Sequence, residues 1–386
     1  MAENLGQKLK VNELINLMVN YAGNVYTKTG SFKKVQPIML WGSPGIGKSQ
    51  AMGQVVEKLG KKFSKKTHTS DVRLLLFNPV DLRGIPVPSV DDQDILDNPT
   101  QENIDKLKPT VAKWLRPQLF NMNPSNDYMN FLILDEISAA PPTVQAAAYQ
   151  ITLDRQIGEH KLPDNCLVMC AGNEVTDKSV AYKMPKALAN RLAHLKITVE
   201  IDDWKAWALP NGISEKVVGY LNYQNSMLHK FDANSDDNAF PTPRSWEKVS
   251  EVLNYLSVED AMPLISGLIG EGNSFDFYQY TKLYSKLPNP EYILEGNFKQ
   301  APIPNSPDVM FALCSSLTAK ALKADKQQLE NIFKYTLQDG FVGEYAVLLA
   351  RDILRLDANI QTIMASTQTF LDFSKKYKFI LGATRG

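Results

Sequence analysis

Residues Gly42 to Ser49 read GSPGIGKS, directly after the apolar run Ile38, Met39, Leu40, Trp41 and directly before a helical pattern. Gly42, Gly45 and Gly47 allow the backbone to bend so that successive N–H groups aim at phosphate oxygens, with Ser43, Pro44 and Ile46 completing the loop. The helix that follows begins with the positive end of its dipole at the same point. Lys48 adds a mobile positive charge for the β and γ phosphates, and Ser49 offers a hydroxyl to magnesium. Strand, glycine-rich loop and helix in this order read as a phosphate-binding P-loop, so the expected ligands are ATP and Mg2+.

A second group supplies complementary chemistry. Phe131, Leu132, Ile133 and Leu134 form an apolar strand pattern that ends in Asp135 and Glu136. Asp135 is expected to hold magnesium together with Ser49, and Glu136 to polarise a water for in-line attack on the γ phosphate. Further on, Leu167 to Gly172 carries Asn173 to the end of another expected strand, where ligands gather in open α/β sheets. Two readings of Asn173 stand at this point: a hydrogen-bond partner of the γ phosphate or attacking water, and a turn-forming asparagine after glycine.

These residues need a rigid frame, and the hydrophobic pattern supplies one. Val72 to Phe77, Phe131 to Leu134, Leu167 to Ala171 and Leu195 to Glu200 are short apolar or β-branched runs separated by helical segments. Such runs predict a parallel sheet covered on both faces. Met52, Val55, Val56 and Leu59 recur at helical spacing after the P-loop, as do Leu9, Val11, Leu14, Ile15 and Met18 before it. The stretch from Asn78 to Pro109 is rich in proline and carries an acidic cluster, Asp91, Asp92 and Asp94, so it reads as an inserted, partly exposed element. Beyond Asp202 the strand signals stop. Thr242 and Pro243 predict a helix start ahead of Trp246, Val249 and Leu253, and the rest is amphipathic helix broken at Pro288 to Pro290 and Pro302 to Pro307.

The 386 residues suffice for two or three domains. Lys plus Arg and Asp plus Glu both total 42, so no global field drives binding to nucleic acid or an anionic membrane. The start MAENLGQKLK lacks an apolar signal core, and no run approaches the roughly 18 apolar residues of a membrane span. A cytoplasmic address follows as the expectation. Cys166, Cys170 and Cys314 do not make a disulfide framework and read as reduced core residues.

Taken together, GSPGIGKS, FLILDEISAAPPTVQAAAYQI, CAGN and ALANRL resemble the AAA+ ATPases, and within them the MoxR-like group, from about residue 30 to 260. The resemblance implies an α/β AAA+ P-loop core with a parallel five-stranded sheet over residues 1–204, an all-helical lid over 205–290, and a helical C-terminal extension over 291–386. NPVDLRGIPVPS, residues 78–89, and DRQIGEHKLPDN, before the CAGN run, are similar to two insertions of that group that face the pore of a ring. By the same resemblance Asn173 is the first sensor, Arg191 the arginine finger that enters a neighbour's site, and Arg244, in TPRSW, the second sensor of the lid. Arg244 falls in an expected first helical turn, where the dipole disfavours a cation, so its placement makes sense beside an anion. The run ANRL departs from the group, in which an aspartate often precedes the arginine and an aromatic follows it.

The function so implied is that of a homo-oligomeric, hexameric ATPase ring that remodels a protein partner, with a separate von Willebrand factor A domain protein as that partner and no membrane involvement. Three alternatives are a nucleic-acid-associated AAA+ motor, a metal-chelatase-like ATPase subunit, and a scaffold gated by nucleotide without turnover. Balanced charge weighs against the first, four histidines and three scattered cysteines against the second, and the intact Asp135 and Glu136 against the third.

Overall fold

A computed structural model describes residues 8–89, 111–174, 182 and 184–378, and the chain divides into two compact units, Met1–Thr198 and Val199–Gly386. The acidic cluster Asp91, Asp92 and Asp94 lies outside the described residues. In the first unit the strands are β1 (Lys8–Lys10), β2 (Ile38–Trp41), β3 (Lys66–Arg73), β4 (Ile85–Ser89), β5 (Val111–Leu115), β6 (Tyr128–Asp135), β7 (Gln156–Ile157), β8 (His160–Lys161), β9 (Cys166–Gly172) and β10 (Ala193–Thr198).

Among the described residues six of them form one parallel sheet in the order β1-β10-β2-β9-β6-β3. A short sixth strand thus joins the five expected: Lys8, Leu9 and Lys10 pair with Lys196, Ile197 and Thr198. The central strands β2 and β9 are buried throughout, as continuous apolar runs covered on both faces should be. β3 differs from the expected Val72 to Phe77. It starts at Lys66, and Leu74–Leu76 form a tight helical turn after it. As an edge strand it alternates, with Ser70 and Val72 buried and Thr69, Asp71 and Arg73 exposed, so its first half carries no apolar run.

The helix Lys48–Phe63 buries Met52, Val55, Val56 and Leu59, and the helix Val11–Thr29 buries Leu14, Ile15 and Met18. Leu9 belongs to β1 rather than to that helix. β4, from the segment 78–89, pairs antiparallel with β5, and β7 pairs antiparallel with β8 in the segment before β9. Exposed apolar side chains cluster in sequence around the first of these, at Leu76, Val80, Ile85 and Leu115.

The described part of the second unit is helical. Its helix Pro243–Leu253 starts at Thr242, whose side chain accepts from the N–H of Ser245 while the Ser245 hydroxyl accepts from the N–H of Thr242. One continuous core runs from Trp204 to Tyr377, so residues on both sides of position 290 share it. Inside it Lys205 and Asp352, each 1% exposed, form an ion pair at 2.9 Å, and Asn222 accepts a further bond from Lys205 at 2.9 Å. Each keeps a second, longer ion pair, Lys205 with Asp202 at 3.5 Å and Asp352 with Arg355 at 3.7 Å. The three cysteines are free and buried. The parallel sheet with a P-loop after a central strand, followed by a helical unit, is the α/β AAA+ P-loop architecture that the resemblance implies.

Candidate nucleotide site

Strand register assembles the site. β2 pairs with β9, Trp41 opposite Gly172, and β9 pairs with β6, Cys170 opposite Leu134. The loop that begins at Gly42, the Asp135 to Glu136 step and Asn173 therefore leave the sheet together, at the carboxyl ends of three adjacent strands.

Gly47 caps the helix Lys48–Phe63 with φ 95°, a left-handed conformation that a side chain would strain, and the first turn of that helix holds no acidic residue. Its positive end is thus left for an external anion. Nζ of Lys48 donates to Gly42 O at 2.6 Å, Ser43 O at 3.2 Å and Asn173 Oδ1 at 2.6 Å. These three oxygens are neutral groups that aim the ammonium.

Ser49 Oγ donates to Asp135 Oδ2 at 2.8 Å, and the other oxygen, Oδ1, accepts from the Glu136 N–H at 2.8 Å. A hydroxyl and an oriented carboxylate are the oxygen donors a hard divalent cation prefers, so the pair fits magnesium. Partial burial, and then the nearby Asp135 carboxylate, push the pKa of Asp71 up from the ordinary value, with Arg73 opposing. Glu136 adopts φ 56°, uncommon for a residue with a side chain, where the chain turns sharply out of β6.

Some supporting residues were invisible in the sequence. Ser138 Oγ accepts from the Asn173 N–H at 3.0 Å and so fixes the start of the segment after β9. That approach needs Gly172, because a Cβ there would lie 2.7 Å from Ser138 Oγ and 2.7 Å from Met39 Cε. Glu174 then pairs with Lys196 of β10 at 2.5 Å. Trp41 Nε1 donates to His194 Nδ1 at 2.7 Å, and His194 Nε2 bonds Ala189 O at 2.8 Å, tying the P-loop strand to the short helix Lys186–Ala189. A polar aromatic residue at the end of an apolar strand was the available signal for Trp41.

Arg191 lies just past that helix. Its guanidinium rests over the Tyr149 ring, Cζ 5.2 Å from the centroid, and its carbonyl accepts from Gln36 Nε2. Among the described residues it forms no ion pair. Arg244 belongs to the second unit, where it is exposed in the first turn of the helix Pro243–Leu253 and forms no ion pair among the described residues. The structure thus brings Lys48, Ser49, Asp135, Glu136 and Asn173 into one constellation, and Arg191 of the same unit stands outside its hydrogen bonds among the described residues.

No helix among the described residues is long and apolar enough to cross a membrane. No family model matches the chain, and no curated protein matches it in sequence. Solved structures similar to it include a RuvB mutant from Thermotoga maritima, 13% identical over 86% of this chain and 90% of that one with a TM-score of 0.35. Another is the ORC2 protein of Aeropyrum pernix in ADPNP–ADP complexes, 12% identical over 95% and 98% with a TM-score of 0.38. A third is a putative ATPase from Cytophaga hutchinsonii, 14% identical over 93% and 94% with a TM-score of 0.29.

Proposed function

We propose that this chain is an ATP-hydrolysing, MoxR-like AAA+ ring motor that remodels a protein partner. The observation that carries the ATPase reading is the meeting of Lys48, Asn173, Ser49 and Asp135 at the ends of three adjacent parallel strands. The Gly42 to Gly47 backbone and Lys48 bind the phosphates. Ser49 and Asp135 hold magnesium, which when bound neutralises charge on the β and γ oxygens. Glu136 accepts a proton from the attacking water, and Asn173 orients that water or the γ phosphate. Arg191 is the finger supplied to a neighbouring subunit, and Arg244 the second sensor of a lid spanning 205–290.

An arginine acting in trans requires an oligomer, and a hexameric ring in the cytoplasm is the form we propose. The exposed apolar side chains Ile85 and Leu115, opposite each other across β4 and β5, together with exposed Leu76 and Val80, support a protein partner, since exposed apolar surface marks contact sites where it is contiguous. A separate von Willebrand factor A domain protein is the partner class proposed. The test is steady-state ATP hydrolysis by the purified chain with and without magnesium, together with capture of bound proteins by Glu136→Gln in ATP. Magnesium-dependent turnover and enrichment of such a partner are the expected results. Absence of turnover with unchanged ATP affinity in Lys48→Ala overturns the ATPase reading, and capture of nucleic acid instead overturns the partner class.

A further inference from the structure

The helical unit contains a cavity of about 380 Å³, within the size range of small-ligand sites, that the nucleotide reading does not use. Three tyrosines wall it: Tyr220 and Tyr223 from the helix Glu215–Tyr223, and Tyr280 from the helix Glu271–Thr281. Tyr223 stacks on Tyr280 with centroids 5.7 Å apart and an interplanar angle of 20°, and Tyr220 meets Tyr280 at 5.6 Å and 65°.

Two carboxylates, Asp276 and Asp308, and two amides, Gln224 and Gln279, add polar groups to the lining. Asp308 Oδ1 accepts from the Val309 N–H at 2.9 Å, but among the described residues neither aspartate has an ion-pair partner. No basic side chain lines the space among the described residues. Tyr220 is 2% exposed, and its hydroxyl has no hydrogen-bond partner among the described groups. Burial, then Asp276 and Tyr223, push its pKa up to about 12, and burial likewise raises that of Tyr280, so both phenols stay neutral. The fixed charge of the lining therefore resides on the two carboxylates.

We propose that this cavity binds an organic ammonium ion, held by Asp276 and Asp308 against the aromatic wall of Tyr223 and Tyr280. Neutral aromatic walls attract a cation through their quadrupoles, and a partly desolvated site strengthens both that attraction and the carboxylate contacts. The charge of the two aspartates favours a diamine over a monoamine. The ammonium group belongs either to a free amine or to a lysine side chain of a partner.

The test is calorimetry of the full chain, without nucleotide, against 1,4-diaminobutane, tetramethylammonium and Nα-acetyl-lysine methylamide, with sodium chloride matched for ionic strength. Saturable heat with an amine and none with sodium chloride is expected. Binding of the free diamine assigns a free ligand, and binding of the lysine amide alone assigns a partner's side chain. Asp276→Asn and Tyr223→Ala change exposed residues. Each is expected to weaken binding about tenfold while leaving ATP binding unchanged. Absence of saturable amine binding, or unchanged affinity in both variants, overturns the proposal, and neither result bears on the nucleotide site.

Discussion

Lys48 and Asn173, separated by 125 positions in the chain, meet through a 2.6 Å contact between Nζ and Oδ1. One side chain starts the P-loop helix and the other ends β9, so the contact spans two paired strands. The two variants should separate cleanly. Lys48→Ala removes a loop cation and is expected to lose tight ATP binding. Asn173→Ala leaves that charge in place, so ATP binds while turnover falls by about 10²-fold, the cost of one oriented polar group. Calorimetry and single-turnover hydrolysis check the pair. Equal loss of binding in both would make Asn173 a structural tether of Lys48.

Glu136 follows Asp135 in a left-handed conformation at φ 56°, which turns it away from the strand direction while Asp135 stays bonded to Ser49. Glu136→Gln keeps the shape and loses the proton acceptor. Magnesium-ATP binding should persist, with hydrolysis reduced by about 10²–10⁴-fold. Near-normal turnover in purified Glu136→Gln removes the residue from the water-activating role.

Gly172→Ala tests the frame behind Asn173. The new Cβ would stand 2.7 Å from both Ser138 Oγ and Met39 Cε, in a strand that is buried throughout. Overpacking of this kind costs about 1–3 kcal/mol. Denaturant melts should show that loss, and turnover should fall with it because the Ser138 bond to the Asn173 N–H must shift. Met39 can yield as a flexible side chain, so Ser138→Gly combined with Gly172→Ala should recover stability but not turnover.

Asp71 offers a prediction in pH. Its pKa in the folded chain is raised above the ordinary 3.8, first by burial and then by Asp135. Ionised Asp71 therefore destabilises the fold, and that penalty grows as pH rises from 3.8 through the folded-state value and is absent below 3.8. Asp71→Asn should raise stability at neutral pH by less than about 1 kcal/mol, because solvent screens so exposed a group. The gain should vanish in acid, and it should shrink in magnesium. Equal gains with and without magnesium would separate Asp71 from the cation site.

The P-loop and the Asp135–Glu136 pair were legible because their chemistry is written in consecutive residues between elements of obvious type. The strands β2, β6 and β9 were legible for a related reason: burial on both faces leaves an unbroken apolar run. β3 was only half legible, since its exposed face carries Thr69, Asp71 and Arg73 and erases that run, and β1, at Lys8–Lys10, is too short to show a period. Ser138 with Asn173, and Trp41 with His194, depend on which strands lie side by side and in what register. That information is held in pairings between distant segments, and no local pattern reports it.

Arg191 carries the last prediction. Its guanidinium lies over Tyr149 and forms no ion pair among the described residues. If it completes a neighbour's site, Arg191→Ala should bind ATP normally and hydrolyse it about 10³-fold or more slowly. Specific activity of the unaltered chain should rise with protein concentration as rings assemble. Tyr149→Leu, which removes the aromatic support, should reproduce part of the defect without touching the pocket. Mixing Arg191→Ala with Glu136→Gln creates interfaces in which one subunit supplies an intact pocket and its neighbour an intact arginine, so activity should return from two nearly inactive proteins. A residue that works within its own subunit cannot produce that recovery. Mixed rings, verified by sizing and mass, that hydrolyse no faster than the sum of their parts would place Arg191 in a structural role beside Tyr149.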